Sequence, residues 1–254
     1  MPGIRGEKIA ALAITEPDAG SDVASIRTRA ERVDGGYLVS GTKTFITGGV
    51  RADALVTAVK TTAEGGHRGL SFLIVERGPG VSSSPLEKLG WHASDTALIA
   101  LDEVFVPDEN LLGSENAGFY LIMANFQWER LLMALGAVGA MQAALERTLT
   151  GVARRRNGQA LRHRVAEIAL ALEAGRNVTY DALRRYLAGE DAVREVTIAK
   201  LATQRRCFEV IDACLELSGP DAELERALRD ARLGPIGGGT DEIMKEILGR
   251  SLGL

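Results

Sequence analysis

The fold is decided by residues 97–126, which read ALIALDEVFVPDENLLGSENAGFYLIMANF. As far as Leu112 the apolar residues come in short runs of strand length, and beyond it they recur at the 3.6-residue spacing of a helix. Upstream, turn residues separate further strand-length runs at residues 8–15, 37–40, 43–47, 54–60 and 70–75. We therefore expect a β domain over residues 1–112, built as a barrel or sandwich, with residues 82–85 as a loop inside it.

The rest of the chain, residues 113–254, has the pattern of long helices. Periodic apolar stretches cover residues 117–150, 160–187 and 191–217, and a shorter one covers residues 241–252. Residues 224–232 have room for a further turn or two. Helices of this length with short connections pack as antiparallel bundles. The expected fold class is α+β, a β domain followed by an antiparallel four-helix bundle.

Composition narrows the possible partners. The chain has 254 residues with 30 basic and 34 acidic side chains, and it has no basic stripe of the kind that binds nucleic acid. No apolar run approaches the about 18 residues that span a bilayer, and residues 1–8 lack the apolar core of a signal peptide. Cys207 and Cys214 lack the spacing of metal ligands, so we expect two buried thiols, no metal site and a cytoplasmic protein.

Two segments of the β domain could face a ligand. Residues 14–22, ITEPDAGSD, follow a strand that Pro17 ends. Their composition alone favours an ordinary polar turn, because Pro, Asp, Gly and Ser are turn residues. Residues 44–49, TFITGG, read either as a strand that ends in a glycine turn or as a site where Phe45 stacks on a flat ring and Thr47 bonds to it.

Two segments of the helical region are unusual. Glu129 lies on an otherwise apolar helical stripe with Ile122, Phe126 and Met133. Such a carboxylate is either a salt-bridged or snorkelling glutamate, or a base whose pKa is raised by desolvation. Residues 235–240, PIGGGT, allow a backbone to approach a ligand closely before a helix that Thr240 caps, or they form only a flexible capped turn.

In this order and spacing the segments resemble the acyl-CoA dehydrogenase family over nearly the whole chain. The resemblance is carried by TEPDAGSD (15–22), FIT (45–47), KLGWHASDT (88–96), VP (106–107) and GGT (238–240). Residues 127–132 and 239–246 look most like the long-chain subtype. The family has an N-terminal helical domain, a middle β domain and a C-terminal four-helix bundle.

The resemblance implies two ligands, FAD and an acyl-CoA thioester. By position it implies FAD contacts from the following residues: Leu12, Ile14, Thr15, Gly20, Ser21, Phe45, Ile46, Thr47, Thr240 and Glu242. It implies that the acyl-CoA lies near Ser21, Gln127, Arg130, Gly238 and Gly239. The implied reaction is FAD-dependent dehydrogenation to a trans-2-enoyl-CoA, of the fatty-acid β-oxidation type, with an electron-transfer flavoprotein as the acceptor.

The catalytic base is displaced relative to most of the family. Most members carry it as a glutamate at the position of Gly238, whereas the long-chain and isovaleryl subtypes carry it on the first bundle helix, just before an arginine. That position is Glu129, followed by Arg130. A backbone N–H at Gly238 can still stabilise the enolate oxygen, because it does not depend on a side chain. We therefore expect Glu129 to be the catalytic base.

Three departures from the family leave a second function open. The sequence starts at the β domain, so the N-terminal helical domain is not part of it, and residues 154–159 and 217–221 are shorter than family segments that grip FAD across a subunit interface. The alternative is a truncated or minimised scaffold, or a partner-dependent subunit, with little or no activity. We expect a homo-oligomer, at least a dimer, because Ile168, Leu170 and Leu172 follow one another closely on one helix.

Overall fold

The computed structural model describes residues 3–62, 66–152 and 158–254. The chain divides into two compact units, which we call the β unit and the helical unit. The β unit comprises Met1–Lys88 and His92–Ala124, and the helical unit comprises Leu89–Trp91 and Asn125–Leu254.

The described part of the β unit forms one mixed sheet of eight strands. The strands are β1 (Ala10–Ala13), β2 (Arg29–Val33), β3 (Gly36–Thr47), β4 (Ala54–Lys60), β5 (Leu70–Glu76), β6 (Val81–Pro85), β7 (Thr96–Pro107) and β8 (Leu111–Leu112). Their order is β6-β7-β3-β2-β4-β5-β8, and β1 pairs in parallel with β4. Alternating side chains such as Val39, Leu55, Leu73 and Ile99 form the core of this unit. Each fully buried side chain of this size contributes about 1.5–3 kcal/mol to stability.

The sheet differs from the expected strands in two places. Residues 82–85 are not a loop but part of β6, which pairs with β7 in antiparallel register. This strand is at the end of the sheet order, where one edge has no partner strand among the described residues and a polar, proline-ended segment is tolerated. The polar strand β2 was not expected at all, and it pairs along its length with β3.

The helical unit contains five helices in its described part. They are α1 (Gly118–Val152), α2 (Gln159–Leu187), α3 (Val193–Ser218), α4 (Ala222–Ala231) and α5 (Asp241–Ser251), and the boundary between the units falls within α1. The α+β class is confirmed, but where residues 224–232 were expected to add a turn or two, Ala222–Ala231 form a complete helix, α4. Asp221 caps α4 by accepting hydrogen bonds from the N–H groups of Glu223 and Leu224.

The argument for an oligomer from Ile168, Leu170 and Leu172 is in part wrong, because two of these residues lie in the core of the helical unit. Cys207 and Cys214 are buried free thiols, as expected. Ile168 and Leu172 lie in the same core at 2% and 4% exposure, whereas Leu170 is 71% exposed. Only one of the three residues is therefore available to a partner. Within the described residues, no helix has the length and hydropathy needed to cross a membrane, and no group of side chains is arranged to hold a metal ion.

Candidate functional site

A buried ion pair holds the loop that follows β1. Lys43, in the middle of β3, donates from Nζ to Glu16 Oε1 at 2.8 Å and to the carbonyl of Ile14 at 3.0 Å. The Glu16 carboxylate also accepts from the N–H groups of Arg27 at 2.6 Å and Thr28 at 2.9 Å. The side chains of Lys43 and Glu16 are 0% and 6% exposed. Lys43 of the sheet therefore holds both ends of the 14–28 segment, one directly through the carbonyl of Ile14 and the other through the Glu16 carboxylate.

The electrostatics of this pair follow from its burial. Burial lowers the pKa of Lys43 to about 8, against the attraction of Glu16, which raises it. Burial alone would raise the pKa of Glu16, but the charge of Lys43 and the hydrogen bonds to the carboxylate lower it overall. Both groups are therefore ionised at neutral pH. Removing one partner of a buried, hydrogen-bonded ion pair strongly destabilises the protein, because the other charge is left buried alone.

Phe45 is an exposed aromatic residue on a strained backbone. Its φ is 57°, and it lies where the β3–β7 register shifts between Lys43 and Ile46. Its side chain is 70% exposed. A positive φ costs a bulky residue about 1–2 kcal/mol, so a strained and exposed ring suggests a role in ligand binding.

The expected FAD residues of the β unit fall into two groups. Leu12, Gly20, Ser21, Phe45 and Thr47 are exposed, and Thr15 is partly buried. The carbonyl of Thr15 accepts from the N–H of Thr44 at 2.8 Å, which brings the loop beside Phe45. Ile14 and Ile46 are only 7% and 2% exposed, so their side chains belong to the core. Their carbonyls already accept hydrogen bonds, from Lys43 Nζ and from the N–H of Gly49.

In the helical unit Glu129 is a half-buried carboxylate on α1. Asn125, one turn earlier, donates from Nδ2 to Glu129 Oε1 at 2.7 Å. Burial raises the pKa of Glu129, and the hydrogen bond from Asn125 and the charge of Arg130 oppose that rise only in part. Within residues 3–62, 66–152 and 158–254, Glu129 takes part in no ion pair. The salt-bridged alternative is therefore not the arrangement found, which leaves a snorkelling glutamate and a base with a raised pKa.

The glycine turn before α5 is clamped by two cations. Arg130, 9% exposed, donates from Nε to the carbonyl of Gly238 at 3.4 Å. Lys200 of α3 donates from Nζ to the carbonyl of Gly239 at 2.6 Å. Gly238 and Gly239 have φ values of 61° and 93°, which favour glycine at both positions. Thr240 caps α5 as expected, since its hydroxyl accepts from the N–H of Ile243 at 3.3 Å.

Sequence reasoning singled out neither lysine. Lys43 and Lys200 are both 0% exposed, and each contacts a segment that the motifs had marked. The available signal for Lys200 was a lysine between apolar neighbours, in IAKLA, whereas Lys43 stands between Thr42 and Thr44 and has no such signal. Two further residues were expected near the ligands. Gln127 is half-buried, and Glu242 is exposed. Residues 154–157, part of a shortened family segment, lie outside the described residues.

Family models match both parts of the chain. The model for the acyl-CoA dehydrogenase middle domain matches residues 11–104, and the model for the acyl-CoA dehydrogenase C-terminal domain matches residues 116–253. Together they include every expected site residue, from Leu12 to Glu242.

Similar proteins agree with these matches. Mitochondrial isovaleryl-CoA dehydrogenase of Arabidopsis thaliana is 35% identical over 98% of this chain, which spans 64% of that protein. An acyl-CoA dehydrogenase of Bacillus subtilis is 35% identical over 97% of the chain and 69% of its own length. Among solved structures, a probable acyl-CoA dehydrogenase from Mycobacterium abscessus has a TM-score of 0.96 and 41% identity, covering 99% of this chain and 70% of that one.

Proposed function

The chain belongs to the acyl-CoA dehydrogenase family, and from that premise we propose that it carries out FAD-dependent α,β-dehydrogenation of acyl-CoA thioesters. The observation that carries this proposal is Glu129, a half-buried carboxylate whose pKa is raised by burial and whose oxygen is held by Asn125. A carboxylate tuned in this way suits removal of a weakly acidic proton next to a carbonyl.

The residues of the β unit fit FAD chemically. FAD has a flat ring system and a negatively charged pyrophosphate. The β unit offers the exposed ring of Phe45 and the exposed hydroxyls of Ser21 and Thr47, and in the helical unit Thr240 caps the start of α5, where anions bind favourably. A structural neighbour described as the FAD complex of PigA has a TM-score of 0.94 and 30% identity. Bound FAD would supply an acceptor for the hydrogen that leaves the β-carbon.

The helical unit supplies the acid–base chemistry in this proposal. Glu129 takes the α-proton of the thioester, and Asn125 orients its carboxylate. The negative charge that develops on the thioester oxygen needs hydrogen-bond donors. Gly238 and Gly239 are proposed to present their N–H groups there, while Gln127 and Arg130 line the acyl-CoA site. Arg130 also contacts the turn itself, through the carbonyl of Gly238.

The finer substrate assignment is a further proposal. A fatty-acid β-oxidation substrate of long-chain type is what residues 127–132 and 239–246 suggest. Relatives of similar identity are named for other acyl groups, among them isovaleryl-CoA, 2-methylacyl-CoA and cyclohexane-1-carbonyl-CoA. Branched and cyclic thioesters must therefore be compared with straight chains of several lengths.

Partners and location are proposed on similar grounds. An electron-transfer flavoprotein is the proposed acceptor, and one structural neighbour with a TM-score of 0.94 is described as the electron transferring flavoprotein of Acidaminococcus fermentans. A homo-oligomer in the cytoplasm is also proposed. Its support is an apolar groove of about 840 Å³ along α2 and α3, with Leu170, Ala171 and Leu201 among its lining residues.

Reduction of bound flavin tests the proposal. The protein is purified, loaded with FAD and mixed without oxygen with isovaleryl-, butyryl- and palmitoyl-CoA in turn. We expect loss of the oxidised flavin absorbance with at least one thioester, and the order of rates assigns the substrate class. Flavin that stays oxidised with every thioester, or a protein that retains no flavin, would favour the alternative of an inactive scaffold or a partner-dependent subunit.

A further inference from the structure

Lys200 is a buried cation whose hydrogen bond goes to a backbone carbonyl. It lies on α3, its side chain is 0% exposed, and its Nζ donates to the carbonyl of Gly239 at 2.6 Å. Within the described residues, no carboxylate forms an ion pair with it. Burying an ammonium group is costly unless it is paired, and an apolar side chain of similar volume would fill the space with less penalty. The presence of a lysine here therefore calls for a reason other than packing.

The carbonyls that Lys200 and Arg130 bind belong to successive residues. Arg130 Nε contacts the carbonyl of Gly238, and Lys200 Nζ contacts the carbonyl of Gly239. In a trans peptide the C=O and the next N–H point in opposite directions. Binding of the two carbonyls by cations therefore directs the N–H groups of Gly239 and Thr240 away from those cations.

These N–H groups have no partner in the part of the chain that the structure describes. Within the described residues, the N–H groups of Gly238, Gly239 and Thr240 donate to no acceptor, whereas the next one, of Asp241, donates to the carbonyl of Pro235 at 2.9 Å. Successive N–H groups with glycine at positive φ form a concave surface that attracts negative charge. The turn thus presents donors on one side and is held by cations on the other.

The surroundings of Lys200 hold its pKa below that of an ordinary lysine. Burial lowers its pKa to about 8; the carboxylates of Asp241 and Glu242 on α5 oppose this, and the charge of Arg130 on α1 adds to it. Asp241 is itself held by Arg205, whose Nε donates to Oδ2 at 2.6 Å, while its buried Oδ1 has no partner among the described atoms. Lys200 therefore loses its charge at a lower pH than an ordinary lysine does.

We propose that Lys200 is a positioning residue, whose ammonium fixes the Gly238–Thr240 turn through the carbonyl of Gly239 and so keeps the N–H groups of Gly238 and Gly239, the donors of the proposed function, in place for the thioester oxygen. The inference deepens the proposed function and rests on it for the identity of the ligand. It assigns Lys200 no contact with the substrate. Its part is to keep the donors of the turn in place when negative charge develops.

The test compares Lys200→Met, which keeps the length of the side chain without the ammonium, with Lys60→Met. Lys60 is a matched control because its Nζ also contacts a glycine carbonyl, that of Gly66 at 3.5 Å, outside the proposed site. Lys200→Gln, which retains an uncharged donor, is measured as well in case Lys200→Met does not fold. Three measurements are made: amide hydrogen exchange of Ile236, Gly237 and Asp241, whose N–H groups are hydrogen-bonded around the turn, in the protein alone; the infrared carbonyl frequency of a bound ¹³C-labelled thioester; and the rate of flavin reduction from pH 6.5 to 9.5.

We expect exchange in the turn to be about tenfold faster or more in Lys200→Met, the scale for loss of a hydrogen bond to a charged group. The carbonyl frequency should rise, and flavin reduction should slow by about 10- to 10³-fold with little change in thioester affinity. The part of the parent's pH–rate profile that changes near pH 8 should be absent from this variant. Lys60→Met should match the parent throughout.

Unchanged exchange and an unchanged carbonyl frequency in Lys200→Met, or in Lys200→Gln if the first variant does not fold, would overturn the proposal. A decrease in thermal stability with both readings unchanged would show that Lys200 acts in folding alone. If the parent reduces no flavin with any thioester, the proposed function fails. The exchange measurement needs no substrate, so it still decides whether Lys200 fixes the turn.

Discussion

The side chain of Met133 occupies the space in which a side chain at Gly238 would have to lie. A Cβ added at Gly238 would collide with Met133 Sδ, and the residue's φ of 61° is one that side-chain-bearing residues rarely adopt. Most acyl-CoA dehydrogenases carry their base at this position. In this chain the backbone conformation disfavours a carboxylate there, and Met133 would have to move its flexible side chain to admit one, which agrees with a base at Glu129.

This packing predicts that a base cannot simply be moved to Gly238. In a Glu129→Gln background, Gly238→Glu should lower the free energy of unfolding by about 1–3 kcal/mol and restore little activity. Adding Met133→Ala should make room for the new carboxylate and allow partial recovery of flavin reduction. Melting temperature and reduction rate are measured together. Full recovery in Gly238→Glu without the change at Met133 would show that Met133 does not block this position.

Replacing Phe45 by glycine should make the flavin-free protein more stable and weaken its binding of FAD. Phe45→Gly removes the strain of a φ of 57° and should raise the free energy of unfolding of the flavin-free protein by up to about 1 kcal/mol. The same change should weaken FAD binding by about tenfold, because it removes the proposed stacking ring. Phe45→Trp, which keeps a flat ring, should bind FAD like the parent. Fluorescence titration gives the affinity, and unchanged FAD affinity in Phe45→Gly would remove Phe45 from the proposed site.

The Lys43–Glu16 pair should be detectable in the pH dependence of stability. The pKa of Lys43 is about 8 in the folded protein and 10.5 in its ordinary state. Between these values the unfolded chain binds more protons than the folded one, so this lysine's contribution to the free energy of unfolding rises with pH. Lys43→Met lacks this contribution. The difference in stability between the parent and Lys43→Met, from urea unfolding, should therefore increase from pH 8 to pH 10.

The same substitution tests the structural role of the pair. Lys43→Met leaves the Glu16 carboxylate buried without its cation, which should cost about 3–5 kcal/mol. A second change, Glu16→Gln in the Lys43→Met background, removes the unpaired charge and should restore part of that loss. If the double variant is less stable than Lys43→Met by the full cost of a second independent change, Lys43 and Glu16 are not coupled.

The titration of Glu129 should be displaced upward. Burial disfavours its charged form, so its pKa lies above the ordinary value for a glutamate. Between the two pKa values the folded chain binds more protons than the unfolded one, and this carboxyl therefore makes the protein less stable as pH rises. Infrared difference spectra of the parent and Glu129→Gln isolate the carboxyl signal. A midpoint at or below the ordinary value would contradict a desolvated base.

Much of the fold and part of the site could be predicted from the sequence. The change of periodicity near Leu112 located the end of the strands, since β8 ends at Leu112 and α1 begins at Gly118. The polar strands β2 and β6 could not be predicted, because they lack an apolar pattern of their own. They are stabilised by pairing with β3 and β7.

The candidate site likewise has residues that the sequence predicts and residues that it does not. Glu129 and the turn at residues 235–240 were marked by local sequence, because a carboxylate on an apolar stripe and three glycines in a row are unusual in themselves. The clamp by Lys200 joins residues that are 39 apart in the chain, and the Lys43–Glu16 pair joins residues 27 apart. Such contacts depend on tertiary packing, so no local pattern contains them.

The measurement that tests the central claim most directly is anaerobic flavin reduction by acyl-CoA in Glu129→Gln beside the parent. Glu146→Gln is the matched control, because Glu146 on the same helix also accepts a hydrogen bond from the residue four before it, Gln142, at 2.8 Å. We predict that all three proteins bind FAD equally, that Glu146→Gln reduces it at the parent rate, and that Glu129→Gln is slower by at least about 10²-fold. If Glu129→Gln bleaches its flavin at the parent rate, with or without a lower melting temperature, Glu129 is not the base.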